Sequence, residues 1–261
     1  MKIKLSITLL LAACLLFPGC RPAPLKAVQA AKPVDEYTVA WVVDGDTVEL
    51  KNGKKVRYIG IDTPEVRKRI GGEWQYMPEP YAIEAKKFND EMIRGKNVRL
   101  EFDAEKEDKY GRWLAYVYSG DKMVNAELLK QGYASLLTFP PNVKHIDLLV
   151  KAQKEAQENR RGIWKDYKVI APEEAEKNIG KYLSVRGAVL ATHLSNRSVF
   201  LNFKQGFKAV IFGRSIFFFE KEDIDPLEYY NGKQVEVTGE IEFYDGPRIL
   251  IDHPSQIEVI E

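Results

Sequence analysis

The sequence predicts a mainly β chain with helices, an α+β protein: an OB-type five-stranded barrel with helices, followed by a second OB-like β-barrel. Short β-rich runs separated by Asp-Gly and Asn-Gly dipeptides open the body of the chain, the pattern of tight hairpins. Helix-spaced apolar residues appear between the later runs. After Trp164 a second five-strand rhythm begins, punctuated by Gly187, Gly206, Gly232, Gly239 and Gly246.

Residues 37–43, 47–51 and 55–61 are the first three strand-like runs, turning at Asp44-Gly45 and Asn52-Gly53. Residues 80–92 carry Ala82, Ala85, Phe88 and Met92 at helical spacing, with Pro80 suited to a first turn. Residues 98–102 and 113–118 supply two more strands. Residues 124–130 form a short helix closed by Gly132. Residues 143–160 form a longer polar helix with a narrow stripe at Leu148, Leu149, Ala152 and Ala156. Five strands with interspersed helices make the element list of an OB-type barrel. Residues 182–190, 199–203, 209–212, 234–243 and 248–251 repeat the strand rhythm, and 215–230 reads as a helix or mixed segment. The boundary falls near Pro172, which gives units at 37–167 and 168–261.

Composition excludes disorder and collagen-like repeats: 45% of the 261 residues are hydrophobic and 30% charged. Lys2 and Lys4 are the only charges in residues 1–19, so the remainder carries 37 basic against 38 acidic residues. A chain so balanced has no global pull on a polyanion, and any nucleic-acid contact must be a local basic site. The two cysteines, Cys14 and Cys20, both precede the body, which excludes a disulfide or thiolate zinc site there. The scattered His145, His193 and His253 form no ligand cluster.

Residues 1–19 read as a signal peptide of lipoprotein type. A basic start precedes an apolar run shorter than the roughly 20 residues of a membrane span. Gly19-Cys20 resembles a bacterial lipobox, making Cys20 the lipidation candidate. Leu11-Ala12-Ala13-Cys14 is a rival by residue type. The Pro- and Ala-rich residues that follow make 20–36 a flexible tether. The expected localisation is the cell envelope, with the exported chain held to a membrane by its lipid.

Chemistry is carried by Asp44-Gly45-Asp46-Thr47-Val48, Arg57, Asp62-Thr63-Pro64-Glu65 and Asp108-Lys109-Tyr110-Gly111-Arg112. Asp46 opens one strand and Asp62 closes the strand returning beside it. Two carboxylates and a backbone carbonyl suit Ca²⁺, which takes roughly six to eight oxygen ligands in flexible geometry. The Asp-Gly-Asp run is no EF-hand, because Val48 stands where the third ligand would be. Arg57 and Asp62 lie five residues apart, which in a regular strand points them to opposite faces; they share a site only if the strand end bends. Arg57 and Arg112 offer planar forks that match phosphate oxygens. Glu65, past a proline-fixed turn, either deprotonates or positions a water. Each piece alone is common, and the ordered set is what points to a phosphodiesterase.

That set, with Ala115-Tyr116-Val117-Tyr118, the Asn125 to Gly132 run and Arg161-Gly162-Ile163-Trp164, resembles the thermonuclease (staphylococcal nuclease-like) family over about residues 37–167. The resemblance implies a calcium site at Asp46, Asp62 and the Thr63 carbonyl, phosphate-binding arginines at 57 and 112, Glu65 as base, and substrate contacts at Lys109 and Tyr110. It implies cleavage of DNA and RNA with weak sequence preference, leaving 3′-phosphate ends. The sequence departs from the family pattern in a shorter hairpin at Asn52-Gly53 and a rebuilt segment 66–77. Thr138 and Pro140 also stand where the prototype has two tyrosines near the nucleotide. Phe139 is then a candidate stacking face. Arg67-Lys68-Arg69 is either a phosphate track or a solvated loop.

In 168–261, Phe203, Phe207, Lys204 and Lys208 are either a substrate-holding platform or packing. The consecutive Phe217-Phe218-Phe219 reads as a buried interdomain plug. The alternative to a nuclease is a catalytically silent nucleic-acid-binding lipoprotein on the same fold. Retention of Asp46, Asp62, Glu65, Arg57 and Arg112 favours the enzyme.

Overall fold

Glu36–Val42 (β1), Thr47–Leu50 (β2) and Lys55–Tyr58 (β3) form the expected meander in the computed structural model, which describes residues 36–260. The expected leader and nearly all of the tether, with Cys14 and Cys20, lie outside the described residues. No helix among the described residues is long and apolar enough to cross a membrane.

The third expected run does not continue to Ile61. Gly60 (φ 82°) breaks it, and Ile61–Asp62 (β4) leaves in a new direction. A Cβ at Gly60 would lie 2.3 Å from Leu149 Cδ1, so only glycine satisfies both the turn and the packing. Within the rebuilt segment 66–77, Arg67–Ile70 (β5) and Glu73–Tyr76 (β6) form an antiparallel hairpin. Helix α1 (Ala82–Ile93) starts after Pro80 rather than on it, because Tyr81 is left-handed (φ 69°). Asn97–Glu101 (β7) and Trp113–Ser119 (β8) complete the barrel strands, and Lys122–Met123 (β9) extends β8 by a short return.

The hydrogen-bonded order β3-β2-β1-β7-β8 closes on itself through a parallel β3–β8 pairing, Val56↔Trp113 to Tyr58↔Ala115. The result is a five-stranded OB-type barrel, which removes both sheet edges. Val39, Val42, Val48, Leu50, Val56 and Val98 fill its interior. Helix α2 (Val124–Lys130) packs on α3 (Ile146–Glu158) with Leu128, Leu129, Leu149 and Ala152 between them. The short Ser135–Leu136 (β10) pairs antiparallel with β4.

Two features close this half. Asn125 is fully buried and accepts from Val117 N while donating to Ile59 O, both at 2.9 Å. It thereby ties β8 to the end of β3, where the barrel closes. Gly132 and Gly162 cross so closely that a Cβ on either would lie within 2.1 Å of the other segment's backbone. Arg161-Gly162-Ile163-Trp164 therefore locks behind α2, with Ile163 N bonded to Gly132 O at 2.9 Å.

The remainder is Val169–Ile170 (β11), Tyr182–Ala188 (β12), Ala191–Ser195 (β13), Ser198–Asn202 (β14), Lys208–Ile211 (β15), Gly213–Glu220 (α4), Pro226–Tyr229 (α5), Gln234–Glu240 (β16), Glu242–Phe243 (β17), Pro247–Ile251 (β18) and Ile257–Val259 (β19). β13 and β19 were not legible in the sequence. The strands form two sheets, β11-β12-β16-β19 and β13-β14-β15-β18-β17, around a second apolar core that includes Val185, Leu201, Val237 and Ile249. Phe203 and Phe207 lie inside that core, so the platform reading is corrected: their rings are spent on packing. The aromatic plug is corrected too. Phe219 belongs to the same core, Phe218 packs on His253 at 5.0 Å, and Phe217 is largely exposed.

The two halves meet around β10. Thr138 Oγ1 donates to Asp252 O (2.8 Å), the Ser135 and Tyr182 hydroxyls pair at 3.3 Å, and Trp164 meets Tyr182 edge-on. Arg214 sits over Phe139 at 4.6 Å and pairs with Asp252 at 2.8 Å.

Asn125→Ala leaves a buried amide and a buried carbonyl unpaired, so it is expected to lower unfolding free energy by roughly 2–4 kcal/mol, readable by urea denaturation.

Candidate active site

Hairpin geometry brings Asp46 and Arg57 together. Thr47↔Arg57 are register partners across β2–β3, which sets Asp46 beside the guanidinium. Arg57 Nη1 meets Asp46 Oδ2 at 2.5 Å, and Nη2 meets Asp62 Oδ1 at 2.6 Å. The Gly60 bend is what permits the second contact, so the odd spacing of Arg57 and Asp62 is resolved by a break in the strand. Nη1 also donates to Ile61 O at 3.1 Å. Asp46 is buried, and its Oδ2 accepts from Thr63 N at 3.0 Å while Oδ1 accepts from the Thr47 hydroxyl at 3.1 Å. Asp46 and Asp62 thus stand on either side of the Arg57 guanidinium, and Thr63 meets Asp46 through its N–H, not the carbonyl expected to bind metal.

Glu65 stands at the exposed rim of this cluster. Its N–H donates to Glu79 Oε2 at 2.8 Å, and Glu79 N returns a bond to Glu65 O at 2.9 Å. Desolvation, then repulsion from Asp46 and Asp62, raises its carboxyl above the ordinary range. Asp44, which opens the Asp-Gly-Asp run without an expected role of its own, belongs to the cluster as well. Burial, then Asp46, then Glu65 carry it up to about 7. Asp62 is raised too, by desolvation and Asp46 against the pull of Arg57. About half of its side chain is still exposed (46%), which lets water screen it more than the buried Asp46.

A second residue missed in the sequence is Asn89, fully buried on α1. Its Nδ2 donates to Gly45 O at 2.9 Å, and its Oδ1 accepts from Tyr58 Oη at 2.9 Å. It pins the Asp44-Gly45-Asp46 turn against the barrel. The signal was present: Asn89 falls four residues after Ala85 and seven after Ala82, a polar residue on the core-facing stripe.

On the other side of Arg57 runs a groove lined also by Lys109, Tyr110, Arg112 and Phe139. The parallel β3–β8 register, Arg57↔Leu114, is what carries Arg112 to this side. Arg112 is oriented by Asp108, whose Oδ2 accepts from its Nε at 2.7 Å. Tyr110 is 72% exposed, with the Lys109 ammonium 5.0 Å from its ring. Phe139 is exposed in the same groove, and Thr138 is buried in the contact with Asp252.

Among the described residues no three His, Cys, Asp or Glu side chains converge as a ready-made metal set. The donor chemistry nevertheless fits a hard divalent cation. Asp44, Asp46, Asp62 and Glu65 stand around one guanidinium, and desolvation first, then repulsion among the acids, pushes Asp44, Asp62 and Glu65 toward the neutral form. Oxygen-only donors with room for water are what Ca²⁺ accepts.

An OB-type barrel with an acidic cluster and two convergent arginines on one rim defines a protein that handles phosphate esters. Residues 55–166 match the staphylococcal nuclease homologue family. The chain is 44% identical over 133 residues to the thermonuclease of Staphylococcus intermedius, covering 50% of this chain and 76% of that protein. It is 40% identical over 131 residues to the thermonuclease of Staphylococcus hyicus, covering 49% and 75%. To endonuclease YncB of Bacillus subtilis (strain 168) it is 39% identical over 138 residues, covering 51% and 63%. The chain belongs to the staphylococcal nuclease homologue family, and these relatives support a nuclease of the hydrolase class.

The cluster sets a pH dependence. Acids raised in the folded state bind more protons there than when unfolded, so stability falls as pH rises from about 4 through about 7. In chelator, the thermal midpoint is expected to drop across that window, and Asp44→Asn is expected to flatten the drop and raise the midpoint at pH 7.5. An unchanged profile in that variant would show that Asp44 is not crowded.

Proposed function

We propose that this chain is a calcium-dependent phosphodiesterase, an endonuclease that hydrolyses DNA and RNA with low sequence specificity and leaves 3′-phosphate ends. The observation that carries this is the position of Arg57. It is shared between a crowded carboxylate cluster and a groove that also holds Arg112.

Asp46, Asp62 and the Thr63 carbonyl would hold Ca²⁺. When bound, the ion would offset the cluster's negative charge and that of a phosphate oxygen. Arg112, its Nε fixed by Asp108, presents its Nη groups to the phosphate and stabilises the charge that builds up on it. Arg57 serves the same phosphate from the opposite end of the groove. Glu65, raised toward the working pH range by desolvation and its acidic neighbours, takes the proton of the attacking water. The leaving oxygen departs opposite that water. Lys109 and Tyr110 hold the flanking nucleotide by charge and by an exposed ring face.

The reading of residues 1–19 as a lipoprotein signal is part of the proposal. The mature chain would sit in the cell envelope on a lipid at Cys20, with Cys14 the alternative, and the leader's residue pattern supports this. Residues 168–261 are read as an OB-like unit bracing the first, supported by its own apolar core.

Glu65→Gln and Arg112→Ala are each expected to lower kcat on plasmid DNA and on RNA by about 10²–10⁴-fold with the fold retained by circular dichroism. Chelator should abolish cleavage and Ca²⁺ restore it, with 3′-phosphates on mapped ends. Undiminished cleavage in either variant removes that residue from the mechanism. Labelled palmitate should enter the wild-type chain in cells and be lost in Cys20→Ser; retention there points to Cys14.

A further inference from the structure

The hairpin β5–β6 springs directly from Glu65. Met77 N bonds Val66 O at 3.2 Å, and the Glu65–Glu79 bonds clamp its base. Every residue of both strands is exposed, so the hairpin buys the core nothing. Its register pairs Arg67 with Tyr76 and Arg69 with Trp74, which puts two arginines and two aromatics on one face. The opposite face carries Lys68, Ile70, Glu73 and Gln75, and there Lys68 is held by Glu79 at 2.8 Å.

Arg67, Trp74 and Tyr76 of this face line a groove that Trp41, Lys55 and Lys86 share and that Asp44 and Glu65 also line. Trp74 and Tyr76 are 66% and 68% exposed. Trp41 is exposed as well, because a bulge between Val39 and Trp41 in the β1–β2 pairing turns its side chain outward. Lys55, Arg67, Arg69 and Lys86 pair with no carboxylate among the described residues, whereas Lys68, on the far face, does. Lys86 instead lies 5.6 Å from the Trp41 ring.

Unpaired cations interleaved with exposed ring faces are what a single strand requires: charge for the backbone and a flat apolar surface for each unstacked base. A folded duplex offers no base faces to such rings. The groove is continuous with the acidic cluster but lies away from the Arg112–Tyr110 groove, since Glu65 and Asp44 line the one while Arg112 and Tyr110 line the other. We propose that the Trp41–Trp74–Tyr76 face with Arg67 and Arg69 is a second binding track for a single-stranded polynucleotide, holding the strand on the far side of the scissile phosphate. This inference rests on the phosphodiesterase reading for the placement of that phosphate. The track itself is a binding site and is testable without catalysis.

The test uses the full chain and a fluorescent (dT)₂₀ probe. In chelator, anisotropy is expected to show Trp74→Ala/Tyr76→Ala binding about tenfold or more weaker than wild type. Arg67→Ala/Arg69→Ala should weaken binding and reduce the slope of log affinity against log salt by about 1.4, two phosphate contacts on a single strand. With Ca²⁺, the gain in kcat/KM from the dinucleotide dTpdT to (dT)₂₀ should shrink about tenfold in the aromatic double variant. Unchanged affinity and an unchanged length gain in both double variants would overturn the track while leaving wild-type cleavage, and so the enzymatic reading, intact. Weakened binding in the variants beside a wild type that cleaves neither substrate would keep the track and sink the enzymatic reading.

Discussion

Arg57 is the residue on which the rest of the site depends. Its guanidinium is nearly buried and bridges Asp46, just before β2, and Asp62 beyond the Gly60 break. A buried ion pair adds little net stability, because desolvation offsets much of the attraction, but removing one partner strands a charge. The interaction therefore works as a positioning device. It fixes where two carboxylates stand and points the guanidinium along a groove. The neighbouring acids exceed what one cation balances, and the resulting strain is of the kind that functional sites retain at the expense of stability.

Several structural choices protect that arrangement from behind. Asn89 holds the Asp44-Gly45 carbonyls, and Asn125 holds the seam where the barrel closes. Both are fully satisfied buried amides, which confer one geometry rather than several. The C-terminal half adds a third support. It contacts β10 through Ser135 and the following chain through Thr138, and β10 is the partner strand of Asp62. A position expected near the nucleotide from the family resemblance, Thr138, is here committed to that contact. The first groove is lined by Tyr110, Lys109 and Phe139, with Arg214 over the Phe139 ring from the second half.

The hairpin at 67–76 and the buried Phe203 and Phe207 both depart from what local sequence suggests, in opposite directions. The hairpin has no buried residue, so it lacks the apolar alternation by which a strand is recognised; its pairing alone defines it. Phe203 and Phe207 neighbour lysines and so looked like a binding platform. The two phenylalanines flank the tight turn at 204–206, and their rings enter the core while Lys204 is exposed and Lys208 partly exposed.

By itself the sequence determined the type and order of the barrel strands and helices, the turn chemistry at Asp44-Gly45, Asn52-Gly53 and Gly132, and which acids and arginines to expect at a site. These are local properties, written in periodicity and in residues with special backbone freedom. Only the tertiary structure decided that Arg57 and Asp62 share a face, because that depends on a backbone break at Gly60, where Leu149 from a distant helix leaves no room for a side chain. Only the parallel β3–β8 closure decided that Arg112 stands in the groove of Arg57. Crowding among Asp44, Asp46, Asp62 and Glu65 was equally invisible, since the strength of a charge interaction is set by distance and burial, neither of which a linear order of residues contains.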